Sequence, residues 1–100
     1  MNTYNIDKIK ELAQEGKAII TQRASTEAQN EFGFDFQDIL NEIMSLTALD
    51  FHRSDISDKK DIYFDVYKKR VYSEAYKKHF LAYIKLRING DLSIISFHTT

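Results

Sequence analysis

The stretch Ala82-Tyr83-Ile84-Lys85-Leu86-Arg87-Ile88-Asn89-Gly90-Asp91-Leu92-Ser93-Ile94-Ile95-Ser96-Phe97-His98 decides how this chain folds. Side chains along a strand alternate between the two faces of a sheet. Ala82, Ile84, Leu86 and Ile88 therefore share one face, and Tyr83, Lys85 and Arg87 share the other. Asn89-Gly90 is a strong hairpin signal because both residues tolerate positive φ, so residues 92–98 return antiparallel. A two-residue loop sets Ile88 opposite Asp91, Ile84 opposite Ile95, Ala82 opposite Phe97 and Tyr83 opposite Ser96. Ile84, Leu86, Ile95 and Phe97 then make an apolar face, and Tyr83, Lys85, Arg87, Ser96 and His98 gather on the other. Tyr83 and His98 become diagonal neighbours, about 7–8 Å apart at the backbone. A slip of one residue would part them onto opposite faces.

Upstream, the same alternation appears in residues 62–67, with Ile62, Phe64 and Val66 on one side and Tyr63, Asp65 and Tyr67 on the other. Before residue 50 the period is helical instead. Ile6, Ile9, Leu12 and Ala13 form one face behind an Asn5 cap, and Gly16 lies just past the end. A short β-like run covers residues 17–21, and residues 23–31 are polar, helix-compatible and stopped by Gly33. Asp35 then caps a stronger helix whose Phe36, Ile39, Leu40, Ile43, Met44 and Leu46 recur at 3.6-residue spacing. The Phe32/Phe34/Phe36 alternation reads as helix entry and core. Helices first and an antiparallel sheet after them predict an α+β domain of two layers. The basic residues 68–79 are expected as a loop or as the frayed ends of two strands.

One hundred residues make one domain, residues 1–100. No apolar run approaches the length of a membrane helix, and the opening Met1-Asn2-Thr3-Tyr4 has no secretory pattern. The chain has no cysteine, which excludes disulfides and thiolate metal sites and makes the cytoplasm the expected compartment. His52, His79 and His98 lack metal-ligand spacing, and no phosphate loop, nucleophile elbow or paired-carboxylate motif is present. Net charge is −1, but it is divided unevenly: residues 1–51 hold 4 Lys/Arg and 9 Asp/Glu, residues 52–100 hold 10 and 6. The second half is thus a candidate polyanion surface, although solvated faces of opposite sign give the same asymmetry.

A tyrosine, a histidine and two cations on one sheet face suit phosphodiester cleavage. That reaction needs a base for the 2′-hydroxyl proton, an acid for the 5′-oxygen, and positive charge where the phosphorane gains negative charge. A solvent-facing strand alternating Tyr, Lys and Arg produces the same pattern with no chemistry at all. Tyr72 and Tyr76, interleaved with Lys77 and Lys78, either stack on bases or belong to a packed loop.

Several segments, in order, resemble the MqsR toxins. They are Gly33-Phe34-Asp35-Phe36, Leu49-Asp50-Phe51-His52-Arg53-Ser54, Ile62-Tyr63-Phe64-Asp65-Val66-Tyr67, and Tyr83-Ile84-Lys85-Leu86 running through Asp91 to Ile94-Ile95-Ser96-Phe97. Lys10-Glu11-Leu12-Ala13-Gln14-Glu15-Gly16 is similar to that family's opening. The resemblance implies a RelE-like fold, with N-terminal helices packed on a mainly antiparallel twisted sheet. It implies a toxin of a type II toxin–antitoxin pair that cuts mRNA without metal, cofactor or ribosome, and that a cognate DNA-binding antitoxin neutralises. The family's active-site tyrosine falls on Tyr83. Its basic residue after Asp-Phe falls on Arg53, and its basic residue after Ser-Phe on His98, both commonly lysine there. Arginine keeps the charge in a fork suited to phosphate, and histidine exchanges protons near neutral pH. Phe64 stands where the family has a glutamine and either joins the core or stacks on a base. The expected catalytic set is Tyr83, Arg53 and His98; the expected RNA contacts are His52, Lys68, Lys69, Arg70, Lys85 and Arg87. An inactive homologue that only binds RNA or antitoxin is the alternative.

Overall fold

The computed structural model describes residues 2–100. Helices α1 (Ile6–Gln14), α2 (Gln22–Phe32) and α3 (Phe36–Met44) come first, with a short strand β1 (Ala18–Ile20) after α1. A 3₁₀ turn at Ala48–Asp50 leads into β2 (Phe51–Ile56), β3 (Tyr63–Ser73), β4 (Lys78–Asn89) and β5 (Asp91–Thr99). The strands make one sheet in the order β1-β5-β4-β3-β2, antiparallel except where β1 runs parallel to β5. This is the α+β architecture expected, helices then strands.

The helices start where the caps place them. Asn5 accepts from the Asp7 and Lys8 N–H groups, Thr21 from Ala24, and Asp35 and Asp38 form a reciprocal capping box. Each such cap typically contributes about 1 kcal/mol. Gly33 closes α2 at φ +72, and a Cβ there would collide with that of Ala75, so no larger residue fits.

All three helices cover one face of the sheet. Ile9, Leu12, Ile39, Ile43 and Leu46 pack with Tyr67, Val71, Ala82, Ile84, Leu86, Leu92, Ile94 and Phe97. Ala24 and Ala28, wholly buried, let α2 approach closely, and Phe32 meets Phe34, Phe80 and Phe97 at ring-centre distances of 5.2, 5.4 and 5.4 Å. Phe36 departs from the expected apolar stripe: at the first turn of α3 it is 55% exposed.

The hairpin register differs from the expectation. Asn89 stays in the strand and only Gly90 takes positive φ, so Asn89 pairs with Asp91 and Leu86 with Ile94. Ile95 is then an extra residue, and the ladder resumes with Lys85 opposite Ser96, Ile84 opposite Phe97 and Tyr83 opposite His98. Turn and bulge each shift the register by one residue in the same direction. Facing is thereby restored, and Tyr83 meets His98 directly instead of diagonally. The bulge removes Ile95 from the core face, and Ile94 takes the place expected for it.

Residues 68–79 are the ends of two strands, as one of the two expectations had it, but paired rather than frayed and joined by a turn at residues 74–77. β3 and β4 stay paired from Lys68 opposite Tyr83 to Ser73 opposite Lys78, because the hairpin tip is fastened to the end of α2. The Ser73 hydroxyl donates to the Phe32 carbonyl at 2.5 Å, and that of Tyr76 to the Asn30 carbonyl at 2.8 Å.

β2 has no counterpart among the sequence expectations. It lies at the sheet edge and is tied in through Asp65, a wholly buried carboxylate. Asp65 accepts from Ser54 Oγ at 2.6 Å and from the Thr3 and Tyr4 N–H groups at 2.9 and 2.8 Å. At the other side, β1 pairs only with residues 92–94 of β5. Beyond that, carboxylates of α2 take over the backbone: Glu27 accepts from the Phe97 N–H at 3.0 Å, and Glu31 from the Thr99 N–H at 2.9 Å.

Candidate active site

Among the described residues, no helix covers the other face of the sheet. Alternation places Arg53 and Asp55 of β2, Phe64, Val66, Lys68 and Arg70 of β3, Tyr83, Lys85 and Arg87 of β4, and His98 of β5 on that face. Val66 is fully buried there by its neighbours' side chains rather than by the core, giving the centre of the face an apolar floor.

Tyr83 is the hub. Its hydroxyl accepts from Arg53 Nη2 at 3.3 Å, and its ring lies parallel to that of His98, with centres 4.5 Å apart and planes at 13°. His98 Nδ1 is 2.7 Å from the Thr99 carbonyl. A carbonyl oxygen only accepts, so Nδ1 carries the hydrogen, and in the neutral ring Nε2 holds the free lone pair. Backbone geometry thus selects the tautomer, and the α2 carboxylates on either side of His98 hold that stretch of backbone in place.

Asp55, which sequence reasoning missed, organises the cations. Arg53 Nε donates to Asp55 Oδ1 at 2.7 Å and Nη2 to Oδ2 at 3.3 Å, and Lys85 Nζ lies 3.7 Å from the same carboxylate. The Arg53 hydrogen bond holds the Asp55 carboxyl below the usual carboxylate range, with lesser help from the charges of Arg53 and Lys85. In return Asp55 raises the Arg53 guanidinium above its ordinary value. Lys85 Nζ also sits 4.7 Å above the Phe64 ring. Phe64, facing away from the helices, joins neither the core nor a hydrogen-bond network; its ring is a cushion for a cation. The spacing Arg53-Ser54-Asp55 would have revealed the pair had β2 been recognised as a strand, since residues two apart share a face.

The other sequence-derived residues divide. Lys68 lies opposite Tyr83, and Arg70 follows two residues on, opposite Leu81. Arg87 shares the face near the β4–β5 turn, and its Nε is buried with no hydrogen-bond partner. His52 is the extra residue where the β2–β3 register shifts and is exposed. Lys69 does not belong to the group. It points to the helix side, where its Nζ meets Glu42 of α3 at 2.8 Å. The run Lys68-Lys69-Arg70 lies in a strand, where the middle residue faces away from its neighbours.

The described residues hold no group of three or more His, Asp or Glu side chains placed to bind a metal ion, and no helix is long and apolar enough to cross a membrane. No curated protein matches the chain. Residues 1–99 match the family model described as motility quorum-sensing regulator, toxin of MqsA. Covering nearly the whole chain, this match agrees with the fold and with the segments that first suggested it: the chain belongs to the MqsR toxin family.

Proposed function

We propose that this toxin is an endoribonuclease that cleaves mRNA on the open sheet face, without metal or ribosome, and so halts translation. The observation that carries the reading is the continuous line Arg53–Tyr83–His98 with Lys68 and Lys85 beside it. In the reaction the 2′-oxygen attacks phosphorus, the bond to the 5′-oxygen breaks, and a cyclic phosphate and a 5′-hydroxyl result. One proton leaves the 2′-hydroxyl and one is delivered to the 5′-oxygen. His98 Nε2 suits the first transfer, because its lone pair is free and the tautomer is fixed. The Tyr83 hydroxyl donates toward the leaving oxygen, its own oxygen held by Arg53. Arg53 stabilises the charge that builds on the phosphorane. Lys68, Lys85, Arg70, Arg87 and His52 hold the flanking backbone; Lys69, committed to Glu42, is withdrawn from that set.

The partner is a cognate antitoxin of the MqsA type, with a DNA-binding part, and the site of action is the cytoplasm. A binding-only homologue is the second reading, favoured by Asp55, which partly neutralises both Arg53 and Lys85. Incubating purified protein with a long mRNA in EDTA, without ribosomes, decides between them. Discrete fragments ending in cyclic phosphate support cleavage; bound but intact RNA supports the second reading.

A further inference from the structure

Three rows of side chains run across the open face toward the β3–β4 turn. The first is Lys68, Tyr83 and His98; the second is Arg70 and Leu81; the third is Tyr72 and His79. Same-face residues on a strand are about 7 Å apart, so the third row lies about 14 Å from Tyr83. Leu81 is 46% exposed and Tyr72 41%, and the Tyr72 and His79 rings meet edge-on at 5.0 Å. An open depression of about 260 Å³, lined by Arg70, His79, Phe80 and Leu81, adjoins them. These apolar and aromatic surfaces occupy strand positions that face solvent, and nothing in the fold uses them.

We infer that Tyr72, His79 and Leu81 form a stacking platform for a nucleobase of single-stranded RNA flanking the cleaved phosphodiester, with Arg70 holding that nucleotide's phosphate. The inference rests on the open face being the RNA-cleaving face. Three features make RNA the occupant. The platform is continuous with the Tyr83 row, Lys68 and Arg70 lead to it, and no carboxylate stands in any of the three rows, unlike the Asp55 side of the face. Aromatic rings with interleaved cations bind single strands with little regard to sequence, because every base offers a flat face. The platform therefore contributes grip outside the cleavage site, and the catalytic rate is left to Tyr83 and its neighbours.

The test uses the wild-type chain and short fully 2′-O-methylated RNAs, which cannot be cut because they lack the nucleophile. One abasic position is walked along the RNA while binding is followed by anisotropy. Removing one particular base should weaken binding by about 10-fold. With Tyr72→Ala or Leu81→Ser that same removal should cost nothing, while other abasic positions keep their effects. On unmodified RNA these variants should raise KM and leave kcat unchanged. Wild-type affinity for every RNA in both variants, or an unchanged abasic profile, overturns the platform and leaves the surface to a protein partner. Failure of the wild type to cut unmodified RNA would overturn the proposed activity instead; abasic coupling that persists there would still place a base on Tyr72.

Discussion

Tyr67 and Tyr83 occupy adjacent places in the β3–β4 ladder, opposite Ile84 and Lys68 respectively, yet they face opposite sides of the sheet. Tyr67 is wholly buried among the helices, and its hydroxyl is pushed up to about 12, first by burial and then by the charge of Asp65. It is a neutral packing element at any ordinary pH. Tyr83 has the same phenol, but its oxygen meets a guanidinium and its ring a histidine. One step along the ladder separates a tyrosine of the core from one set among polar groups on the open face. The same holds for the sheet as a whole: one face holds the domain together, and the other is available for chemistry.

Variants of the two tyrosines should therefore affect different quantities. Tyr67→Ala removes a fully buried ring and should cost about 3–5 kcal/mol in urea unfolding, with cleavage per folded molecule unchanged. Tyr83→Phe should unfold like the wild type and cleave about 10²-fold more slowly. A Tyr83→Phe variant with normal turnover would remove that hydroxyl from the mechanism, and a large loss of stability would show that the open face also carries the fold.

Smaller effects test the division within the open face. In single-turnover cleavage at saturating RNA, Arg53→Ala should remain slow, whereas Lys85→Ala should recover much of the wild-type rate. Away from saturation Lys85→Ala should weaken binding alike for all sequences and reduce the salt slope by roughly one. Recovery of Arg53→Ala at saturation would make Arg53 a substrate-holding residue only.

The smallest effect concerns the Arg53–Asp55 pair. Because the folded protein holds the Asp55 carboxyl below its usual range, the pair's contribution is fully present above that range, about pH 4. It is lost as pH falls through the lowered value. The stability difference between wild type and Asp55→Asn should therefore be constant at neutral pH and close only in more acid solution. A difference that closes at neutral pH would show that Asp55 is not held by Arg53.

How far the sequence foretold this division depends on how local each signal is. α1 and α3 were legible because caps and 3.6-residue periodicity lie within a dozen residues, and β4 because its alternation is unbroken. β2 was not, since Phe51 and Ile56 are its only apolar residues and an edge strand with charged, exposed side chains has no pattern to show. The parallel pairing of β1 with β5 joins segments more than seventy residues apart, with no turn between them to mark it. The bulge had a trace in Ile94-Ile95, two apolar residues in succession where alternation allows one. Tyr83, Arg53 and His98 were nominated through family resemblance, and the hairpin register kept Tyr83 and His98 on one face because its two missing shifts preserved the facing. Asp55 was hidden because its role depends on a strand that was not seen.

The place of β5 has a consequence for biosynthesis. It is the last strand in chain order, yet it lies inside the sheet between β1 and β4 and carries Leu92, Ile94 and Phe97 into the core. A ribosome adds about 5–20 residues per second, and until β5 is made the sheet lacks the strand that joins β1 to β4. β5 brings α2 the backbone its carboxylates hold, β1 its neighbour and Tyr83 its histidine. A nascent chain stopped before Asp91 lacks all three, so one strand completes both the core and the Arg53–Tyr83–His98 line.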